Sequence, residues 1–191
     1  MRDAVIVSTA RTPIGKAYRG AYNATPGQEL AGHAVKHAVK RAGIEGHDVD
    51  DIIMGAAIQQ GSTGTNIARQ AAIRAGLGVT VPGMSLDRQC ASGMMAIATA
   101  AKQVITDNMD IVVGGGVESV STVQGPKMFV DADPWMKENQ PDMYMSMLET
   151  AETVAARYGV TREDQDAYAA QSQERTHKLN WLAGSTMRLY Q

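Results

Sequence analysis

Asp87-Arg-Gln-Cys-Ala-Ser-Gly93 holds the one cysteine of this 191-residue chain. Residues 83–87 read as a short strand and residues 91–107 as a helix, so Cys90 falls where a strand hands over to a helix. At a helix N-terminus the unpaired N–H groups and the macrodipole favour negative charge, which suits a thiolate. Ser92 and Gly93 keep the turn small, so a bulky substrate could approach. A thiolate placed in this way could attack a carbonyl carbon and hold the acyl group as a thioester. A lone cysteine is also commonly a small buried hydrophobe. Spacing alone leaves both roles open.

The other candidate groups carry less. His33 and His37 stand at i, i+4, the geometry of a helical metal pair, but Lys36, Lys40 and Arg41 share their face. A solvated face is the better reading, and no metal site is expected. His47 and His177 have no evident partner, and no histidine can be matched to Cys90. Gly61-Ser-Thr-Gly64 lacks the lysine of a phosphate loop, and Gly114-Gly-Gly116 does not fit G-x-G-x-x-G. Both read as tight turns at strand ends. Met143-Tyr-Met-Ser-Met147 reads as core or loop packing, although flexible thioethers suit the wall of an acyl pocket.

The elements that must position Cys90 follow from periodicity and turn chemistry. Residues 4–8 read as a short apolar strand. Thr25-Pro-Gly-Gln28 reads as a helix start, with Thr25 as cap, Pro26 in the first helical position and Gln28 closing a capping box. Leu30, Ala31, Ala34, Val35, Ala38 and Val39 then form one inward stripe, and Gly43 ends the helix. Residues 51–55 form a second strand. A short helix near 66–75 follows, with Ile67, Ala68, Ala71 and Ala72 inward, and residues 110–114 make a fourth strand. Strands separated by helices imply right-handed crossovers and a mostly parallel sheet. Residues 122–147 read as a loop excursion, 150–158 as a helix, and Thr161 with Asp164 as the cap of a helix over 165–175.

Composition fits an α/β domain with a packed core. Apolar residues make up 44% and aromatics 5%, with a single Phe, so small aliphatic side chains must fill the interior. The net charge of −2 without long runs of one sign gives no electrostatic reason to expect nucleic acid or a membrane surface. A single cysteine and no signal-peptide layout point to a reducing compartment, most simply the cytoplasm. Helix 91–107 is apolar on almost every side before Lys102, which predicts a second layer above it.

Several motifs together resemble the thiolase family. Ala10-Arg-Thr-Pro-Ile-Gly15, Gly64-Thr-Asn-Ile-Ala-Arg-Gln70, Asp87-Arg-Gln-Cys-Ala-Ser-Gly93 and Gly114-Gly-Gly-Val-Glu-Ser119 are similar to that family's motifs and stand in the same order. Residues 147–158, Thr161-Arg-Glu-Asp-Gln-Asp166 and Gln171-Ser-Gln173 resemble its loop domain. The likeness covers roughly residues 1–176. It implies a five-layered αβαβα fold of two similar halves, with the helix after the nucleophile between two sheets. This chain would supply the N-terminal half: an α/β domain over 1–121 with a mostly parallel mixed sheet, part of the loop domain over 122–176, and a tail over 177–191 that does not resemble the family.

The resemblance also implies chemistry. Cys90 would take the acyl group as a thioester, its N–H would contribute to an oxyanion hole, and Met147 would line the acyl pocket. Coenzyme A and acyl-CoA would be substrates, with no bound cofactor. Three family features have no counterpart here: the histidine of a Gly-His-Pro motif that activates the nucleophile, the second cysteine that acts as acid and base, and the Asn-Glu segment that holds a water. A frameshift, a premature stop or an appended tail would each explain the difference, and the chain is expected to be inactive alone. The alternative is a non-catalytic assembly module that pairs, with another copy or a separate second half, through the apolar face of helix 91–107.

Overall fold

A computed structural model describes residues 2–125 and 128–186, with side chains described through residue 179. The chain divides into two compact units, the first closing at Phe129 and the second opening at Val130.

The first unit is a three-stranded sheet with helices on both faces. In chain order its main elements are α1 (Gly27–Ala42), β1 (Asp51–Gly55), α2 (Ile67–Ala75), β2 (Met84–Leu86), α3 (Ser92–Thr106), β3 (Val112–Gly116) and the single turn α4 (Val120–Val123). The sheet order is β2-β1-β3 and both pairings are parallel. Gly55 is in register with Leu86 on one side and Gly116 on the other, so all three strands end at one edge.

β1 is buried along its whole length, and its side chains alternate between two cores. Ile52 and Met54 join Ala31, Val35, Ile67, Ala68, Ala71 and Ala72 beneath α1 and α2. Ile53 points the other way and packs with Ala96 and Ala100 of α3. Ile52 and Ile53 are both fully buried, and truncating either to Ala would cost about 2–5 kcal/mol. Alanine supplies most of the helical contact surface, which lets the helices lie close to the sheet.

The stripe of α1 is found as expected, with Ala31, Val35 and Val39 buried and Gly43 left-handed at φ 71°. Its start differs. Pro26 is the cap residue, in extended conformation, and no side chain of its own caps the helix. Ser62 Oγ, from the loop after β1, instead accepts the Gly27 N–H at 3.2 Å. A tertiary partner thus replaces the local cap.

Residues 4–8 form no strand. Val5, Ile6 and Val7 are 76–77% exposed, and no described strand pairs with them. An apolar alternation becomes a strand only where a neighbouring ladder accepts its N–H and C=O groups. The segment is held by side chains: Ser8 Oγ donates to Ala38 O at 2.8 Å and Arg2 pairs with Asp110 at 2.5 Å.

The second unit contains α5 (Pro134–Asn139), a 3₁₀ turn (Pro141–Tyr144), α6 (Met147–Tyr158) and α7 (Arg162–Thr186). The stretch read as a loop excursion therefore holds two short helical pieces. Asp133 Oδ1 accepts the Trp135 N–H at 3.1 Å, a local signal in Asp133-Pro134 that periodicity could not show. α6 starts with a capping box between Ser146 and Glu149. Thr161 and Asp164 cap α7 as expected, through Asp164 N–H donating to Thr161 Oγ1 at 3.1 Å. Among the described residues no helix is long and apolar enough to cross a membrane.

Candidate active site around Cys90

The loop that carries Cys90 leaves the sheet at its carboxyl edge, where open parallel sheets present their ligand sites. It runs from the end of β2 to the start of α3, and Cys90 is exposed. Sequence reasoning placed the thiol at this junction, and the fold places it there.

The loop is stapled from within. Asp87 Oδ1 accepts the Gln89 N–H at 2.6 Å. Ser92 Oγ accepts the Arg88 N–H at 2.9 Å and donates to Gln89 O at 2.6 Å. The Ala91 and Ser92 N–H groups donate to Arg88 O and Gln89 O at 3.1 and 3.0 Å. Gln89, immediately before the cysteine, has φ 48°, a left-handed conformation uncommon for a non-glycine residue. Ser92 is 3% exposed.

Glycines let α3 sit directly on the strand ends. A Cβ on Gly55 would lie 2.2 Å from the Ser92 carbonyl carbon, one on Gly114 2.9 Å from Ile97 Cα, and one on Gly116 2.9 Å from Gly93 Cα. The Gly114–Gly116 run, read from sequence as a turn, thus lies inside β3. Gly114 and Gly116 serve close approach of a helix backbone, not chain reversal.

Glu118, which sequence reasoning did not single out, joins the strand ends. Its Oε2 accepts the Ala57 N–H at 2.8 Å and so ties the chain after β3 to the chain after β1. Partial burial pushes its carboxyl above the usual 4.5, and the charge of Asp87 adds to the rise, while backbone N–H groups of Ala57, Ile58 and Ser119 oppose it. The signal available beforehand was its place directly after a glycine-rich strand.

The Gly64–Gln70 motif proves structural. Asn66, at φ 56°, accepts the Arg69 N–H at 3.1 Å as the cap of α2 and donates to Gly83 O at 2.8 Å. Arg69 reaches Val79 O at 2.7 Å and also Val81 O, closing the loop before β2. Gln70 Nε2 donates to Gly64 O and Thr65 O at 2.8 and 2.7 Å. In the Gly61–Gly64 loop, Thr63 Oγ1 donates to Ile58 O and Gln60 O, and Ser62 meets Thr122 at 2.8 Å. These hydroxyls are committed to holding the loop.

The rings of His33 and His37 meet at a tilt of 45°, with centroids 4.4 Å apart. Desolvation, followed by the charges of His33, Arg41, Lys40 and Lys36, lowers His37 from 6.5. That is a cationic helix face, and no group of three or more His, Cys, Asp or Glu among the described residues could hold a metal ion. His47, expected to stand alone, lies 3.6 Å from Asp48. Met147 is the first residue of α6, in the second unit. The hydrogen bonds that shape the Cys90 turn join residues of the first unit.

An exposed cysteine at the head of a helix, packed on the carboxyl edge of a parallel sheet, defines a class of α/β proteins with a candidate acyl-accepting thiol. The family described as "Thiolase, N-terminal domain" matches residues 4–184, and the chain belongs to the thiolase family. It is 42% identical over 178 residues to a 3-ketoacyl-CoA thiolase of Bacillus subtilis, covering 93% of this chain and 46% of that protein. It is 39% identical over 191 residues to an acetyl-CoA acetyltransferase of Cupriavidus necator, covering 92% and 47%. The crystal structure of the Bacillus anthracis acetyl-CoA acetyltransferase superposes with a TM-score of 0.79 at 36% identity, over 99% of this chain and 49% of that one. The chain spans about half the length of the relatives it matches.

Proposed function

We propose that Cys90 is the acyl-accepting nucleophile of a thiolase-type acyltransferase acting on 3-ketoacyl-CoA and coenzyme A. The observation that carries this reading is the exposed Cys90 at the start of α3, with α3 pressed onto the strand ends at Gly55. The Cys90 thiolate attacks the 3-keto carbon. The bond between C2 and C3 breaks, and its electron pair goes to C2, which takes a proton and leaves as acetyl-CoA. The acyl group stays on Cys90 Sγ. The thiolate of coenzyme A then attacks that thioester and releases Cys90. The Cys90 N–H contributes a donor for the developing oxyanion.

The 191 residues hold one cysteine, so a second thiol acting as acid and base would come from outside them, and the hydrogen bonds that shape the Cys90 turn include no histidine that could activate it. Loss of one such group removes about 10²–10⁴ in rate. The expected result is a slow acyl adduct on Cys90 without turnover. The test incubates the chain with acetoacetyl-CoA, maps adducts by mass spectrometry and assays thiolysis, beside Cys90→Ala. An adduct confined to Cys90 supports the reading. No adduct, or one that persists in Cys90→Ala, sinks it. Sustained turnover that depends on Cys90 would show that the activating groups lie within this chain.

A second reading rests on α3. Its sheet face is buried at Ala96 and Ala100, while Met94 on the far side is 77% exposed and Ile97 on the flank is 46% exposed. An apolar helix face of this kind marks an assembly surface, which suits a module that pairs with a second copy or with a separate polypeptide. Sedimentation across concentration separates the readings, because a chain that stays monomeric throughout does not pair with itself.

A further inference from the structure

The geometry points to Ser92 as a positioning residue that fixes the Cys90 turn for acyl transfer, an inference that rests on the reading of Cys90 as acyl acceptor. A serine in the first turn of a helix ordinarily turns its hydroxyl to solvent or to its own helix. Here it turns back across the cysteine. Ser92 Oγ takes the Arg88 N–H at 2.9 Å and gives its proton to Gln89 O at 2.6 Å, so one hydroxyl bridges the two ends of the Arg88-Gln89 pair that leads into Cys90.

Two further observations make this a coupling and not a local cap. The cap residue of α3 is Ala91, which has no side-chain cap bond, so the Ser92 hydroxyl is not spent on the helix. The Ser92 backbone lies against Gly55 of β1, and the residue is 3% exposed. The same residue therefore touches the end of the central strand with its backbone and the cysteine-bearing turn with its side chain. Gln89 is held at φ 48°, a state that persists only where its surroundings over-determine it. Ser92 Oγ and Asp87 Oδ1 contribute to that determination, through the two peptide groups that flank the Gln89 Cα. Without the hydroxyl the Arg88 N–H loses its acceptor, Gln89 relaxes, and the thiol is no longer held at the start of α3.

The test is the rate of Cys90 alkylation by iodoacetamide, with melting curves run in parallel on the whole chain. Ser92→Ala is expected to slow alkylation about tenfold, the effect of one lost side-chain hydrogen bond on the population of the held turn. Ser92→Thr, which keeps the hydroxyl, is expected to restore the rate to within about threefold of wild type. Gln89→Gly leaves the buried contacts untouched and guards against a Ser92 variant that does not fold. It is expected to melt no lower than wild type and to alkylate at the wild-type rate, and to return most of the lost rate when combined with Ser92→Ala, because glycine takes the left-handed turn without being held there. An unchanged rate in Ser92→Ala would overturn the proposal, as would a double variant as slow as Ser92→Ala, or Thr and Ala variants that are equally slow. The urea-denatured chain gives the rate of an unpositioned thiol. A native chain no faster than that overturns the acyl-acceptor reading itself. A fast native chain with a fast Ser92→Ala variant overturns only the role of Ser92.

Discussion

Ser92 lies so close over Gly55 that a Cβ on the glycine would stand 2.2 Å from the Ser92 carbonyl carbon. No rotamer relieves a clash between two backbones, so Gly55→Ala must lift α3 off the sheet. The expected loss is about 3 kcal/mol or more in denaturant unfolding. Gly93, one residue on, is the internal control. A Cβ there meets nothing nearer than Gly116 Cα at 3.6 Å, and the residue is helical. Gly93→Ala is expected to gain about 1 kcal/mol from helix propensity. Two alanine substitutions in the same glycine cluster should therefore move the unfolding midpoint in opposite directions.

Asn66 makes three hydrogen bonds that an alanine cannot. It accepts from Arg69 N–H and from Ser85 Oγ and donates to Gly83 O, and it does so at φ 56°. Asn66→Ala removes the cap of α2 and puts alanine in a left-handed conformation. The expected cost is about 2 kcal/mol. Asn66→Gly restores the backbone but not the bonds and should fall between the two. Thermal or urea unfolding of the three proteins ranks them.

Much of the first unit was legible because its signals are local. The α1 stripe, the Ile52–Met54 run of β1 and the apolar α3 each carry their period or their composition within one element. The place of Cys90 in the fold was legible for the same reason, since the strand, the turn and the helix follow one another without a break from Met84 to Thr106. What escaped was set by partners far along the chain. Ser62 caps α1 across 35 residues, and Glu118 grips Ala57 across 61. Glycines 114–116 carry no local mark that separates a turn from a strand crowded by a helix; only the position of Gly93 and Ile97 decides it. Residues 4–8 failed in the opposite sense, because a strand-like pattern says nothing about whether a neighbouring strand exists.

The α6 capping box supplies a prediction about acid. Ser146 N–H and its hydroxyl both bond the Glu149 carboxylate, at 3.0 and 2.9 Å, and they lower its pKa from 4.5. A depressed folded-state value means that the stabilisation is present above 4.5 and is lost as pH falls through the folded value. The Ser146 amide should therefore lose protection from hydrogen exchange below that range in the wild type. In Glu149→Gln the same amide should show no such step. Ser146→Ala, which removes the other half of the box, should expose the Glu149 amide at every pH.

Glu118 should titrate with the opposite sign. Partial burial raises its carboxyl above 4.5, and Asp87 raises it further. The folded state therefore holds its proton to higher pH than the unfolded chain does. Stability from this group is fully present below 4.5 and is lost as pH rises through the folded value. Glu118→Gln keeps an oxygen acceptor for the Ala57 N–H but removes the charge, so its stability should be flatter with pH over that window and no lower than wild type above it. Asp87→Asn tests the electrostatic cause separately. With the neighbouring charge gone, the Glu118 carboxyl should titrate at lower pH, read directly from the ¹³C shift of its side-chain carboxyl. An Asp87→Asn protein in which Glu118 titrates as in wild type would leave burial as the whole cause, and the strand ends would then not be electrostatically coupled to the loop that carries Cys90.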